Sequence, residues 1–513
     1  MKTKFLICSA FLCCSITLFA QEKNDPEPFQ YPFGELGSTP RGVFGDDDRK
    51  EVKDAEGIKD FVRATAAMVS KNVIDGNELY SYTLREMLSD RFETKNFDKN
   101  VRYLDQPTVA NCTGFLIAPD ILITAGHCVK TLEDAQKWIW VFDYTNELEY
   151  DEYYKYVEVP KNNLYEVVDV LASVLDDETN QDYAVLKLDR KSERAPYRFR
   201  TSGEVSKNSQ VNTIGTPTGL PLKFSENAIV VSNEEEQFFK SDIDAFPGNS
   251  GGPVFDPNGF IEGILVRGAT QYSNGTYSGD YIYDPECDCV KTVQFSSAEY
   301  NAGCQAHKIH KLPGEILIRA VYENLEYAIE NGLVDRFNSW SSYSWIFNYE
   351  YTNLQGRLEF LAARNKEYSM LEAMLSATKD ALSPIDGYIL MKEAIATQDT
   401  KLLKILLDYD IYPDVSYDNL PTPIQLAVKN NFETGINQLI DAGADLGVKD
   451  SNGNNLLHLA AQMDRINLIQ LFVQRGVSAN EKNNDGDYPE KTAKNSGSKS
   501  NFKYLKNARK GRL

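Results

Sequence analysis

Histidine is scarce in this chain, with four residues among 513. Because histidine is the side chain whose unperturbed pKa lies closest to neutral pH, it is the most frequent general acid or base in enzymes. Any chemistry that needs an imidazole therefore has only four candidates, which are His127, His307, His310 and His458.

Positive charge is also in short supply. The chain has 54 Lys and Arg residues against 75 Asp and Glu residues, which gives a formal net charge of −21. A nucleic-acid-binding protein needs a basic face to offset phosphate charge, so this balance argues against that class. Apolar and charged residues, at 42% and 25%, are in the range of globular proteins, and 513 residues are too many for one ordinary core.

Long apolar runs are missing after the first twenty residues. Residues 1–20 contain two lysines near the start, an apolar run from Phe5 to Phe19, and Ala20 at the expected cleavage point. This is the pattern of a secretory signal peptide, and the run is short for a transmembrane helix. We therefore expect a secreted or periplasmic protein with no membrane span after removal of the signal.

Cysteine is uncommon once the signal is removed, since five residues remain: Cys112, Cys128, Cys287, Cys289 and Cys304. Outside the cytosol these are expected to pair. A bridge between the first two would close a loop of about 15 residues and add roughly 3 kcal/mol of stability. The other three leave two alternatives: a disulfide with one cysteine left over, or a zinc site completed by His307 and His310.

Three segments carry the residue types of nucleophilic catalysis. Residues 122–128 (LITAGHC) end an apolar strand on His127, and residues 182–188 (DYAVLKL) open a strand with Asp182. Residues 246–255 (FPGNSGGPVF) set Ser250 among glycines before an apolar strand. Their order, with 55 residues between the first two side chains and 68 between the last two, resembles the signature segments of the chymotrypsin-like serine peptidases.

The resemblance implies a role for each residue. His127 would be the general base, Asp182 would hold the tautomer of its imidazole, and Ser250 would be the nucleophile. The backbone N–H groups of Gly248 and Ser250 would form the oxyanion hole, which is typically worth about 3 to 4 kcal/mol per donor. We expect no cofactor and no metal for this chemistry.

Residues 42–52 (GVFGDDDRKEV) resemble the start of the mature enzyme in bacterial glutamyl endopeptidases, the group that the chain resembles most. By that resemblance residues 21–41 would be a propeptide cleaved near Arg41; the alternative is an uncleaved, flexible N-terminal segment. Asn249 stands where the digestive enzymes of animals have an aspartate that pairs with the new N-terminus. That latch cannot operate in the same way here.

The primary specificity pocket is predicted from positions around Ser250. Asp244, six residues before the serine, matches the base of the trypsin pocket and would favour Arg or Lys, and Gly268 matches its open wall. Leu265 falls where glutamyl endopeptidases have a histidine, which disfavours specificity for Glu. Arg267 would lie in the wall, where pairing with Asp244 would oppose the preference for Arg or Lys.

Two kinds of pattern predict the fold. Short β-rich segments separated by turns, with no convincing helix before Glu315, predict an all-β double barrel of the chymotrypsin-like kind, closed by a helix from Glu315 to Glu330. A 33-residue period follows, in which TPIQLA at 422–427 aligns with NLLHLA at 455–460. This period resembles ankyrin repeats, each a turn and two antiparallel helices that bury their apolar faces by stacking.

We expect degenerate outer repeats and a truncated last repeat that begins at Gly486. The predicted segments are, in chain order, a signal peptide (1–20), a flexible segment or propeptide (21–41), a trypsin-like peptidase domain (42–335), a linker (336–354), ankyrin repeats (355–498) and a basic tail (499–513).

The predicted function is that of an exported serine endopeptidase with an all-α ankyrin solenoid after its peptidase domain. Its partners would be a protein or peptide substrate and a protein bound through the repeats. The alternative is a catalytically silent protease-like fold that serves as an ankyrin-based binding scaffold. A purely structural role for the repeats is also open, because a short array presents a concave face whether or not a partner uses it.

Overall fold

The structure is a computed structural model that describes residues 47–268, 271–273, 276–278, 281–294, 303–348, 357–377, 382–417 and 420–513. The predicted signal peptide and the segment 21–41 lie outside these residues. The chain divides into two compact units between Asn324 and Leu325. None of the helices in the described ranges combines the length and the hydropathy that crossing a bilayer requires.

The first unit is built from short strands. In chain order they are β1 (Lys50–Glu51), β2 (Thr65–Ser70), β3 (Ile74–Asp75), β4 (Glu78–Tyr80), β5 (Ala110–Ala118), β6 (Ile121–Thr124), β7 (Trp138–Phe142), β8 (Tyr150–Asp151), β9 (Tyr156–Glu158), β10 (Leu164–Tyr165), β11 (Val167–Asp176), β12 (Gln181–Leu188), β13 (Gln210–Gly215), β14 (Lys223–Ser232), β15 (Phe238–Ser241), β16 (Pro253–Phe255), β17 (Ile261–Arg267), β18 (Gln271–Ser273), β19 (Thr276–Ser278), β20 (Tyr281–Asp284), β21 (Cys289–Thr292) and β22 (Cys304–Lys308).

Most of these strands form two seven-stranded antiparallel sheets. The N-terminal sheet has the order β10-β7-β2-β5-β6-β12-β11, and the C-terminal sheet has the order β1-β14-β13-β16-β17-β22-β15. An additional pairing between β14 and β15 closes six strands of the C-terminal sheet into a ring. Closure removes the exposed edges that an open sheet would leave unpaired. The predicted barrel fold is confirmed.

Each sheet encloses its own apolar core, as the β-branched and aliphatic composition of the strands predicts. The N-terminal core includes Ala67 and Val141, and the C-terminal core includes Val211 and Phe239, all of them fully buried. β5 and β6 are buried along almost their whole length, as is expected of strands in the middle of a sheet that is covered on both faces. The segments that carry the predicted site residues therefore start from rigid strands.

Four helices belong to or begin in this unit: α1 (Lys59–Ala64), α2 (Leu84–Phe92), α3 (Leu132–Ala135) and α4 (Gly314–Glu330). α2 begins with a capping box in which Thr83 and Glu86 each bond the other's backbone N–H. α2 then packs with the β20–β21 hairpin around Phe246, in a third apolar cluster that also includes Leu220. This cluster supports the chain directly before the predicted nucleophile.

The second unit is helical in its described residues. After α4 its helices are α5 (Val334–Ser341), α6 (Arg357–Asn365), α7 (Tyr368–Ala377), α8 (Pro384–Ala396), α9 (Thr400–Asp408), α10 (Pro423–Lys429), α11 (Glu433–Asp441), α12 (Leu456–Gln462), α13 (Ile466–Gln474), α14 (Pro489–Asn495) and α15 (Lys499–Arg509). From α6 onward they form five helix pairs. The third pair begins after Thr422, whose backbone N–H donates to Gln425 Oε1 at 3.0 Å, and the fourth begins with a capping box at Asn455. The predicted ankyrin region is confirmed.

Two predictions in this unit differ from the structure. Residues 499–513 were predicted as a basic tail after a truncated repeat, but Lys499–Arg509 is the second helix of a complete last pair. Its buried side chains are Asn501 and Leu505, and Asn501 donates to Asp464 at 2.6 Å. Because many lysines surround these two inward-facing residues, the sequence shows no clear helical period of apolar residues, and the helix was not predicted. The predicted linker 336–354 likewise contains most of α5, which buries Phe337 and Trp340.

Candidate active site

His127 follows the end of β6 and lies beside Asp182, the second residue of β12. Its Nδ1 is 2.8 Å from Asp182 Oδ2, and its backbone N–H donates to Asp182 Oδ1 at 3.0 Å. With both carboxylate oxygens bound to one residue, the imidazole is fixed in orientation, and Nε2 is left for another partner. Asp182 is 2% exposed at its side chain and His127 34%, so a buried carboxylate orients an accessible base.

The glycine before this histidine is required by the packing. A Cβ on Gly126 would lie 2.0 Å from the carbonyl oxygen of Val174 and 3.0 Å from the backbone nitrogen of Tyr183. Any side chain at this position would push His127 away from β12 and from Asp182. The Ala-Gly-His sequence therefore follows from the close approach of two backbones.

Ser250 lies in the loop between β15 and β16, and its backbone is tied to the N-terminal sheet. Its carbonyl oxygen accepts from Thr113 N at 2.8 Å and lies 3.8 Å from Cys128 Sγ. The sulfur is in a disulfide and has no proton, so this second approach is a contact. Ser250 therefore lies against the residue that follows His127, at the junction of the two sheets.

The structure joins His127 to Asp182 directly but does not join His127 to Ser250 by a hydrogen bond within the described residues. Such bonds are often long in enzymes without substrate and tighten when substrate binds. Gly251 keeps the loop close to the histidine segment, because its φ is +84° and a Cβ there would lie 2.1 Å from Thr124 Oγ1. The three predicted side chains thus come from segments that pack on one another.

The orientation of two peptide groups sets the predicted oxyanion hole. Thr218 N donates to the carbonyl of Pro247 at 2.5 Å, and Gly252 N donates to the carbonyl of Asn249 at 2.9 Å. In a trans peptide the N–H points opposite to the C=O, so the N–H groups of Gly248 and Ser250 are turned to the other side. In the part of the chain that the structure describes, neither of these N–H groups has an acceptor.

Two buried threonines hold this loop, and the sequence motifs did not indicate them. The Thr113 hydroxyl lies 2.8 Å from the carbonyl of Gly248, and the Thr216 hydroxyl lies 2.9 Å from the same oxygen. The two hydroxyls are 3.0 Å apart, and both side chains are fully buried. Threonine is common in strands, so nothing in a single sequence distinguishes these positions from ordinary ones.

Among the described residues, the cysteines form two disulfides. Cys112 is bonded to Cys128, which ties β5 to the residue after His127. Cys287 is bonded to Cys289, so neither sulfur is available for the zinc site that was the alternative. Cys304 is a buried thiol that donates to the carbonyl of Ile243 at 3.1 Å.

The predicted pocket residues lie in different environments. Asp244 is buried, and its Oδ2 accepts from Asp48 N at 3.2 Å. Burial, followed by the charge of Asp47, raises the pKa of Asp244 well above its ordinary value. Arg267 pairs with Asp177 at 2.9 Å, a partner other than the predicted Asp244, and Gly268 is exposed. A role in the primary pocket stays a prediction for all three.

The other histidines are poor candidates for the base. His307 is fully buried next to Tyr183, with ring centroids 5.1 Å apart, and burial lowers its pKa to about 4. Burial lowers the pKa of His310 to about 4 as well. His458 binds Asn455 and the carbonyl of Asp487 within the repeats. The geometry thus favours His127, the histidine of the motif.

Comparison with known families agrees with this arrangement. Residues 112–264 match the family model of the trypsin-like peptidase domain, and residues 424–511 match that of ankyrin repeats (3 copies). The chain carries a trypsin-like peptidase domain followed by ankyrin repeats. The first match spans His127, Asp182 and Ser250, while membership of the glutamyl endopeptidase group stays a prediction.

A curated relative is similar to about a fifth of the chain, namely 20%. The ankyrin repeat protein FPV240 of fowlpox virus (strain NVSL) is 29% identical over 102 residues, which are 20% of this chain. The alignment spans about a quarter of that relative's length, namely 25%. Because that relative is an ankyrin repeat protein, the similarity agrees with the repeat architecture.

Proposed function

We propose that this protein is an exported serine endopeptidase that hydrolyses peptide bonds through an acyl-enzyme. The observation that carries the proposal is the pair of hydrogen bonds between His127 and Asp182, in a domain that matches the trypsin-like peptidases. The position of Ser250 against the histidine segment supports it. The chemistry needs no cofactor.

The proposed reaction has two halves. In the first, Ser250 Oγ attacks the scissile carbonyl carbon while His127 Nε2 takes the hydroxyl proton, and the carbonyl electron pair moves onto oxygen. The resulting oxyanion accepts from the N–H groups of Gly248 and Ser250. His127 then gives its proton to the leaving amine, which departs as the C–N bond breaks. In the second half water attacks the acyl ester by the same route and restores the serine.

Asp182 contributes by holding the base. Its Oδ2 orients the His127 ring, keeps the proton on Nδ1 and stabilises the imidazolium that forms when Nε2 accepts the serine proton, while its Oδ1 holds the backbone of His127. Because the carboxylate is buried, this interaction is screened less by water than an exposed pair would be.

Labelling with a fluorophosphonate probe tests the proposal on the purified full chain. The probe bonds covalently to a serine only where a base and an oxyanion hole activate it, so we expect one label per chain and none in Ser250→Ala. A matched control is Ser206→Ala, which removes an exposed serine of the same unit and should label like the wild type. Peptide hydrolysis should disappear with the label.

The alternative function is a silent protease-like scaffold that binds proteins through its repeats. The described residues favour it in one respect, since no hydrogen bond joins His127 to Ser250. Under this alternative neither the wild type nor Ser250→Ala would be labelled, and the substitution would change no measurable property. Labelling of the wild type alone would exclude it.

Export and partner binding are further parts of the proposal. The N-terminal pattern of residues 1–20 and the two disulfides support export, because disulfides persist in oxidising compartments. N-terminal analysis of the exported protein should give Gln21, or a residue near Gly42 if a propeptide is removed. We propose that the ankyrin repeats bind a substrate or a regulatory protein, which pull-down with Ser250→Ala as bait would test.

A further inference from the structure

Arg49 is a buried cation next to Phe246, in the segment that leads to Ser250. Its side chain is 1% exposed, and its Cζ lies 3.8 Å from the centroid of the Phe246 ring. Phe246 is two residues before Gly248, whose N–H is one of the proposed oxyanion donors. A guanidinium over the face of an aromatic ring is attracted by the ring quadrupole, and the attraction increases where water is excluded.

The guanidinium is itself held in place by an acid and a second ring. Asp47 accepts from Arg49 Nε at 2.8 Å and from Nη2 at 2.6 Å, which is a bidentate pair. Although burial opposes the charged form, these bonds raise the pKa of Arg49 above its ordinary value, so the cation persists at every physiological pH. Arg49 Cζ also lies 5.5 Å from the ring centroid of Tyr103, whose hydroxyl donates to the Arg49 carbonyl.

The backbone around Arg49 is anchored to the same part of the barrel. Lys50 and Glu51 form β1, which pairs with β14, and Asp48 N donates to the carboxylate of Asp244. The segment therefore contacts the start and the middle of the stretch 244–250. Among the described residues, Arg49 Nη1 and Asp244 Oδ1 are buried without a hydrogen-bond partner. Burying a charge with an unpaired N–H group costs free energy. The position of Arg49 therefore calls for an explanation.

We propose that Arg49 is a positioning residue that clamps Phe246 and thereby holds residues 247–250 in the form that presents the oxyanion donors. The Thr218 and Gly252 backbones orient the peptide groups of this loop from one side. Arg49 supplies further support through the ring of Phe246. The inference rests on the proposed function for its kinetic consequence only, because the effect on loop structure is measurable without any substrate.

The test compares Arg49→Met, which keeps length but removes the charge, with Phe246→Leu, which keeps an apolar side chain but removes the ring. The control is Arg190→Met. Arg190 also lies over a ring, 3.7 Å from the Tyr165 centroid, and pairs with Asp189 at 2.7 Å, but it follows β12 of the N-terminal sheet. Hydrogen exchange of the fragment 246–252 and the rate of fluorophosphonate labelling are measured on full-length proteins at equal folded fraction.

We expect exchange of 246–252 to rise at least tenfold in both test variants and to stay within twofold in the control. The labelling rate should fall at least tenfold in Arg49→Met and recover partly with millimolar guanidinium ion, but not with sodium chloride at equal ionic strength. A merely structural loss would not respond to the ion. If Arg49→Met does not fold, Phe246→Leu decides by the same two readouts.

The inference would be overturned if a folded Arg49→Met or Phe246→Leu protein exchanged hydrogen in 246–252 at the wild-type rate. It would also be overturned if Arg49→Met lowered the labelling rate no more than Arg190→Met does. Failure of the wild type to be labelled would instead contradict the proposed function, and exchange of 246–252 would still decide the role of Arg49.

Discussion

Arg267 Nη2 lies 2.9 Å from Asp177 Oδ1, in an ion pair that connects the two sheets of the trypsin-like domain. Arg267 ends β17, and Leu265 on the same strand accepts from the backbone N–H of Gly251 at 2.6 Å. Asp177 lies in the turn that leads into Asp182. The pair therefore joins the strand that bonds Gly251 to the turn before Asp182, and we expect substrate to bind in the cleft at this junction of the two sheets.

This position predicts an effect of Arg267 on substrate choice. A substrate that lies along the cleft passes the guanidinium, which attracts acidic side chains and repels basic ones. We expect Arg267→Ala to change the ratio of kcat/KM values for peptides with acidic and basic residues before the cleaved bond by about two- to fivefold in favour of the basic ones, as for a partly exposed pair. Competition between two such peptides in one reaction measures this ratio directly.

Arg190→Ala serves as the control for Arg267→Ala, because it removes an exposed arginine paired with Asp189 away from the cleft. An unchanged ratio in Arg267→Ala would show that this residue does not contact substrate in the binding cleft. An equal change in both variants would show that the effect comes from net charge alone.

The bonds from Asp182 to His127 predict the result of a neutral substitution. In Asp182→Asn the amide can no longer accept from Nδ1–H in the same way, so the ring loses the tautomer that leaves Nε2 basic. We expect kcat to fall by about 10⁴-fold, as for other enzymes with this arrangement. Asp120→Asn is the matched control, since Asp120 is also buried but pairs with Lys187 at 2.7 Å. A comparable loss in both would point to general destabilisation.

The two disulfides differ in the length of chain that they close, and this predicts different contributions to stability. Cys112 and Cys128 are 16 residues apart, whereas Cys287 and Cys289 are two apart. The loop-entropy argument gives about 3 kcal/mol for the first and about half of that for the second. Replacing each pair by alanines and measuring urea unfolding through tryptophan fluorescence checks the difference. Equal losses would show that chain entropy does not dominate.

Much of this architecture was accessible from sequence, for identifiable reasons. His127, Asp182 and Ser250 lie in motifs whose composition is imposed by close backbone contacts, as at Gly126. The motifs therefore predict which segments pack together. Arg49 carries no such signal, because an arginine after three aspartates resembles a solvated surface segment. The support that Thr218 gives to Pro247 is a backbone bond, which no side-chain pattern encodes.

The pairing of Arg267 escaped prediction for a related reason. Asp244 was the expected partner from its position in the sequence, but Asp177 lies in a hairpin turn whose direction only the fold determines. Helix α15 was missed because two buried side chains among many lysines give too weak a period. The partner of Arg267 could not be predicted because it depends on a long-range contact. Helix α15 could not be predicted because its amphipathic pattern is weak.

Glu359 predicts a pH dependence of stability in the ankyrin unit. It is buried in α6, and burial raises its pKa to about 7 from an ordinary value of 4.5. Between these values the folded state binds a proton that the unfolded state releases, so the contribution of Glu359 to stability is fully present below pH 4.5 and is lost as pH rises through 7. The total loss is on the order of 3 kcal/mol.

Replacing Glu359 by glutamine should therefore remove most of this loss, since the amide stays neutral at every pH. We expect Glu359→Gln to exceed the wild type in stability at pH 8 and to approach it at pH 4.5, measured by urea unfolding followed through helical circular dichroism. Glu372→Gln, at a half-exposed position in α7, is the control and should show no such gain. His458, whose pKa is lowered by burial, makes stability rise with pH up to its ordinary value of 6.5. This opposing slope is shared by wild type and variant, so their difference isolates the carboxyl group; a constant difference from pH 4.5 to 8 would show that Glu359 does not titrate in this range.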